Sequence, residues 1–136
     1  AGSVSSHPVM STDFFPTFVH AADGKVAGAG PIDGANLMPL LKGGNSLDRK
    51  NLYWHYPHYS NQGGIPSGAI RVGAWKLIER YEDGSLHLYN LINDIGEKND
   101  LAEQYPDRVN SMKAKLHAWY KNVDAQFLRP KDPWRP

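Results

Sequence analysis

The chain has 136 residues, 40% of them hydrophobic, and 15 Lys and Arg stand against 14 Asp and Glu for a formal charge of +1. That balance, without any basic stripe, gives no electrostatic footprint for nucleic acid or an anionic membrane, and no apolar run approaches the ~20 residues needed to span a bilayer. Cysteine is absent, which excludes disulfides, thiolate metal ligands and a cysteine nucleophile within these residues; a domain of this size buries roughly 65 to 70% of its unfolded surface, so a modest core is expected.

The opening, AGSVSSHPVM, lacks the basic segment and apolar core of a secretory signal. In STDFFPTFVHAAD, Phe15, Phe18, Val19 and Ala22 recur at i, i+3, i+4 and i+7, which predicts an amphipathic helix with those residues as its apolar face. Thr12 or Asp13 is placed to cap its first amides, Pro16 fits its first turn, and Asp23-Gly24 ends it. Residues 24–34 read as a loop, and ANLMPLLKG as a short helical turn presenting Leu37, Leu40 and Leu41. These pieces have apolar faces but no strand to lie against, so their partner is expected elsewhere.

The middle third reads as an antiparallel meander with strands over 52–56, 69–72, 75–81 and 86–91, joined in part by tight turns at Gly73-Ala74 and Asp83-Gly84. Along the third strand Trp75, Leu77 and Tyr81 face one way while Lys76, Ile78 and Arg80 face the other, so one face is expected to be covered and the other wetter. The cover is the helix PDRVNSMKAKLHAWYKNV, with Pro106 first and Val109, Met112, Leu116, Trp119 and Val123 at steps of three and four. Between sheet and helix, NDIGEKND is acidic but lacks the spacing of a calcium loop; it is expected to be a turn whose Asn and Asp side chains cap backbone groups. The ending LRPKDPWRP, with three prolines, is expected to be a surface strap. The fold class is therefore α+β: a small antiparallel sheet of about four strands packed against a long C-terminal helix and preceded by helical pieces.

The stretch NLYWHYPHYSNQGG, residues 51–64, concentrates aromatic rings and imidazoles beside a flexible turn. Strand alternation puts Tyr53 and His55 on one face and Trp54, Tyr56 and His58 on the other, with Pro57 restricting the strand to an edge or its end. The two histidines diverge, and zinc needs three or four converging ligands, so no metal site is expected. Leu52, Tyr53 and Trp54 are expected to hold the sheet together. For the imidazoles two readings stand open: satisfied by backbone groups inside the fold, or exposed at the rim of a binding site. Lys76 and Arg71 are read as solvated or ion-paired charges, and His7, His20, His87 and His117 carry no functional claim.

Taken in order, VMSTDFFPTFVHAAD, DGANLMPLLKG, LYWHYPHY, AIRVGAWKLI and LYNLINDIGEKNDLA resemble the C-terminal part of a type I sulfatase, the formylglycine-dependent, arylsulfatase-like hydrolases of alkaline-phosphatase-like fold. The resemblance runs from about residue 2 to 123. It implies that 1–43 is the end of a large α/β sulfatase domain, 44–124 the C-terminal subdomain and 125–136 a Pro-rich tail. It further implies a parent that hydrolyses sulfate esters of sugars or aryl groups through a formylglycine hydrate and a divalent cation, usually calcium. The nucleophile motif C/S-x-P-x-R is missing, since Ser6-His7-Pro8-Val9-Met10 has Met10 where arginine is needed, and Asp13, Asp23, Asp33 and Asp48 are scattered. No catalytic residue and no metal ligand is therefore assigned to this chain. It is expected to be inactive alone, its partner being the missing N-terminal catalytic part.

In such enzymes the aromatic region reaches toward the mouth of the cleft, so the resemblance makes His55, His58 and Tyr59 the candidate substrate-binding residues. Export to the periplasm, cell surface or lysosome is also implied, although the chain carries no address. Two other classes compete with this reading. One is an independent glycan-binding β module; the other is a fragment that self-associates through exposed Phe15, Phe18, Leu37 and Leu41.

Overall fold

The computed structural model describes residues 2–26 and 32–128. Part of the predicted glycine-rich loop and most of the predicted strap lie outside the described residues. Two compact units divide the chain, Ala1–Arg49 and Lys50–Pro136.

In the first unit a 3-10 turn, Ser11–Asp13, leads into α1 (Phe14–Ala21), and α2 is the single turn Met38–Leu41. Asp13 stands at the N-cap position of α1, but its side chain bonds none of that helix's first amides; it turns back to Met10, is fully buried and organises the unit. Its Oδ2 accepts the Met10 amide at 2.7 Å, its Oδ1 accepts the Ala35 amide at 2.8 Å, and the Arg49 guanidinium forks onto both oxygens. Thr17 adds a second tie, donating its hydroxyl to the Asp13 carbonyl at 2.6 Å and accepting the Leu37 amide at 2.8 Å. The buried side of α1 is thus Pro16 and Thr17, while Phe15 and Phe18 are exposed, Phe18 to 66%. The predicted stripe forms on the helix but faces away from this unit's own packing. Leu37 departs from the expected exposed set, because the turn that bonds to Thr17 carries it inward; Leu41 stays 70% exposed.

The second unit is a four-stranded antiparallel sheet in sequence order: β1 (Asn51–Tyr56), β2 (Ser67–Val72), β3 (Trp75–Arg80) and β4 (Leu86–Asn90). Gly73 opens the β2–β3 turn at φ 58°, a left-handed conformation that glycine adopts without steric cost. Register aligns Tyr53, Ile70, Leu77 and Leu88 in one cross-strand rank. Ile70, Leu77 and Leu88 are completely buried there against α3 (Pro106–Asn122), which contributes Val109, Met112, Leu116 and Tyr120.

That seam corrects the expected one. Helical geometry continues from Leu116 to Tyr120, four residues on, while Trp119 lies at the flank and stacks on Tyr53 with centroids 4.9 Å apart. Val123 falls after the last helical residue and is exposed. Trp54 also departs from its expected role. Pleating turns it away from α3 and leaves it 39% exposed, so Leu52 and Tyr53 hold the sheet without it.

Candidate functional site

The polar end of the sheet is built on the next rank, where His55 lies opposite Gly68 and Gly68 opposite Glu79. All three face α3. Because Gly68 has no side chain, the Tyr81 and Tyr120 hydroxyls fill the space above it; a Cβ at that position would overlap both. His55 Nδ1 lies 2.6 Å from the Tyr81 hydroxyl, which lies 2.9 Å from the Tyr120 hydroxyl. The Tyr120 hydroxyl is 3.4 Å from Glu79, whose two carboxylate oxygens lie 2.7 and 2.9 Å from His117 Nε2. Phe127 packs on His55, Tyr81 and Tyr120, and the Gln126 carbonyl accepts from His55 Nε2 at 2.8 Å.

Carbonyls only accept, so His55 Nε2 carries a hydrogen. With a neutral ring, Nδ1 must accept from Tyr81, and Tyr120 then donates to Tyr81. With an imidazolium, Nδ1 donates instead, and the chain runs from Tyr81 to Tyr120 to the Glu79 carboxylate. Burial pushes the Tyr81 phenol up to about 12, against the opposing effect of its Tyr120 hydrogen bond and with a further push from the Glu79 charge. Burial raises Tyr120 still further, helped by Tyr81 and Glu79. Each phenol therefore keeps one proton to donate throughout the neutral range, and the network is satisfied for either state of His55.

The three predicted site residues occupy different environments. His55 is held beneath the rim with both ring nitrogens engaged. His58 is exposed beyond the strand, its ring edge-on to half-exposed Tyr56 at 5.6 Å, with no hydrogen-bond partner among the described residues. Tyr59 donates to Glu82, whose acceptance of that bond raises the phenol above its ordinary value. With Pro66, Tyr81, Glu82, Phe127 and Leu128 it lines a concavity of about 250 Å³. His55 and Tyr59 thus meet through Tyr81 and Phe127, whereas His58 stands on the outer side with Tyr56.

Glu79, Tyr81, His117 and Tyr120 went unassigned by sequence reasoning. A faint signal existed: Glu79 occupies an inward position of β3, and His117 and Tyr120, three residues apart, share one helix face. Among the described residues no three His, Cys, Asp or Glu side chains come together. The acidic loop works as a turn: Asp94 accepts the Lys98 and Asn99 amides, both at 2.8 Å, and Asp100 accepts those of Leu88 and Ala102 at 3.0 and 2.9 Å. Lys76 pairs with Glu97 at 2.6 Å, and Arg71 donates to the Gly73 carbonyl at 3.0 Å.

Comparison with known proteins gives concordant matches. Residues 1–126 match the family model described as N-sulphoglucosamine sulphohydrolase, C-terminal. A sulfatase of Formosa agariphila is 32% identical over 129 residues, 85% of this chain and 23% of that protein. An N-acetylglucosamine-6-O-sulfatase of Bacteroides thetaiotaomicron is 36% identical over 106 residues, 74% of this chain and 19% of that protein. A solved complex of a protein with its substrate D-glucosamine-2-N,6-O-disulfate superposes with a TM-score of 0.77 at 30% identity, covering 91% of this chain and 26% of the other. The chain therefore spans about a quarter or less of the length of these relatives.

Proposed function

The chain belongs to the family of sulfatase C-terminal domains, and from that membership we propose that it serves as the supporting lobe of an enzyme that hydrolyses a sulfate ester on a carbohydrate. The observation that carries this reading is the match of residues 1–126 to the family model, together with relatives named for sulfatase action or solved with a sulfated sugar, of which this chain covers about a quarter or less. The described residues do not fit a calcium site, since no three acidic or histidine side chains converge among them. We assign the cation and the formylglycine nucleophile to the rest of the parent, and no step of the reaction to this chain. The exposed Phe14, Phe15 and Phe18 face is assigned to contact with that missing part.

At the rim, His58 is the group best placed to meet substrate, because it is exposed and its ring nitrogens are unengaged among the described residues. Tyr59 offers a ring face, its hydroxyl being occupied by Glu82. His55 acts from beneath, fixing the strand end that leads to His58 through Tyr81 and Gln126.

In the parent enzyme, His58→Ala is expected to lower kcat/KM for a sulfated sugar about tenfold, the equivalent of one lost hydrogen bond. Most of that loss should appear in KM, and a small aryl sulfate without a sugar should be turned over nearly as before. Equal losses on both substrates would show that His58 does not read the sugar.

A further inference from the structure

A second cleft, of about 450 Å³, lies at the opposite end of β3 from the rim. Trp75, at the start of β3, pairs with Asn90, whereas Arg80, at its finish, pairs with Ser67, itself opposite Tyr56. The two ends are roughly 17 Å apart at about 3.3 Å per strand residue. The cleft is lined by Trp75, Asn93, Asp94, Asn99, Gln104 and Tyr105, among others.

Its polar groups fall into two sets. Asn90 and Asp94 are committed to the loop, accepting the Ile92 amide at 3.2 Å and the Lys98 and Asn99 amides at 2.8 Å. The carboxamides of Asn93, Asn99 and Gln104 have no hydrogen-bond partner among the described residues, although each can donate two hydrogens and accept two. Beside them Tyr105 is 43% exposed, its ring 5.1 Å from Trp75, and the Arg108 guanidinium lies over the Trp75 ring, 4.3 Å from its centroid. Uncommitted carboxamides next to an aromatic face suit a ligand whose hydroxyls both donate and accept while its C–H patches rest on a ring. The turn bonds within the loop hold the lining in place before any ligand arrives, which reduces the ordering cost. Charge adds no preference for an anion, because among the described residues Asp94 is the ionised side chain of the lining and the single cation beside it, Arg108, lies over Trp75, which leaves no excess of positive charge to hold a sulfate.

We propose that this cleft binds an unsulfated sugar unit, as a subsite separate from the His55–Tyr59 rim. The choice of a saccharide rests in part on the reading that the parent acts on a sulfated carbohydrate. The test is a titration of the isotope-labelled 136-residue chain with chitobiose, followed by amide and side-chain NH2 shifts. Saturable shifts confined to residues 93–105 and the Trp75 indole are expected, with at least fivefold weaker binding in the Asn93→Ala/Asn99→Ala double variant. Those two side chains are exposed and take no part in the turn bonds, so the variant should keep the native spectrum elsewhere. 6-O-sulfated N-acetylglucosamine should shift the same signals no more strongly. No shift at residues 93–105 with a native spectrum overturns the inference, as does stronger binding of the sulfated sugar there. Shifts confined to residues 55–59 also overturn it, while leaving the rim reading in place.

Discussion

Replacing Gly68 with alanine is expected to destabilise the sheet-and-helix unit by about 3 kcal/mol, combining overpacking with disruption of buried hydrogen bonds. The added Cβ would occupy the space of the Tyr81 and Tyr120 hydroxyls at once, and neither can withdraw freely. Tyr120 is anchored in the α3 seam, and Tyr81 is held by His55 on one side and Tyr120 on the other. Displacing them strips the buried Glu79 of one neighbour and frees the imidazole beneath the rim, so the loss reaches the candidate site as well as the core. Urea denaturation of the single variant, and of the same variant carrying Tyr120→Phe, measures this. The second change removes one of the two obstructing hydroxyls and should recover part of the loss. A Gly68→Ala protein within 0.5 kcal/mol of the parent sequence, a small change on the scale of surface substitutions, would mean that the hydroxyls do not close over that glycine.

The largest expected effect in the first unit follows Arg49→Ala. Removing one partner of a buried ion pair leaves the other charge uncompensated, which costs about 3 to 5 kcal/mol. Asp13 is fully buried, and its carboxylate ties the neighbouring Met10 amide to two distant pieces of chain, at Ala35 and Arg49. Burial works to raise its pKa, but the Arg49 guanidinium and the Ala35 and Met10 amides outweigh that and hold it at about 2, below the 3.8 of a free aspartate. The sign follows from this depression. The group's stabilisation is fully present above pH 3.8 and is lost as pH falls through about 2. Without Arg49 the carboxyl should titrate at higher pH, moving the acid sensitivity of the unit upward. Hydrogen exchange at the Met10 and Ala35 amides should accelerate a hundredfold or more, the counterpart of about 3 kcal/mol. Arg49→Lys, which keeps the charge but not the fork, should fall between. Unchanged exchange at both amides in Arg49→Ala would show that the pair does not hold the unit.

What could be read from the sequence divides along a physical line. The sheet and the long helix were legible because their signals are local: alternation over six residues, glycine turns, and apolar repeats at three and four. The error in the helix seam, Val123 for Tyr120, came from ranking aliphatics above a tyrosine whose hydroxyl has a buried partner. The polar organisation was much less legible. Asp13 meets Ala35 across 22 residues and Arg49 across 36, and Glu79 meets His117 across 38. No periodicity encodes such distances. Asp13 resembled a helix cap and Glu79 an ordinary strand charge because burial, which gives each its importance, is a property of the assembled fold. At the rim the sequence located the strip of rings and imidazoles. It could not assign their different surroundings, with His55 turned inward to Tyr81, His58 outward and Tyr59 tied to Glu82.

If this lobe is separate from the groups that cleave the sulfate ester, it should release no sulfate by itself. The most direct measurement is sulfate release by the purified 136-residue chain, in the presence of calcium, from a sulfated sugar that the parent enzyme hydrolyses, with the parent assayed beside it at equal concentration. Release by the parent and none by the chain is the expected result. Sulfate release that co-purifies with the chain and persists at constant specific activity through successive columns would contradict it.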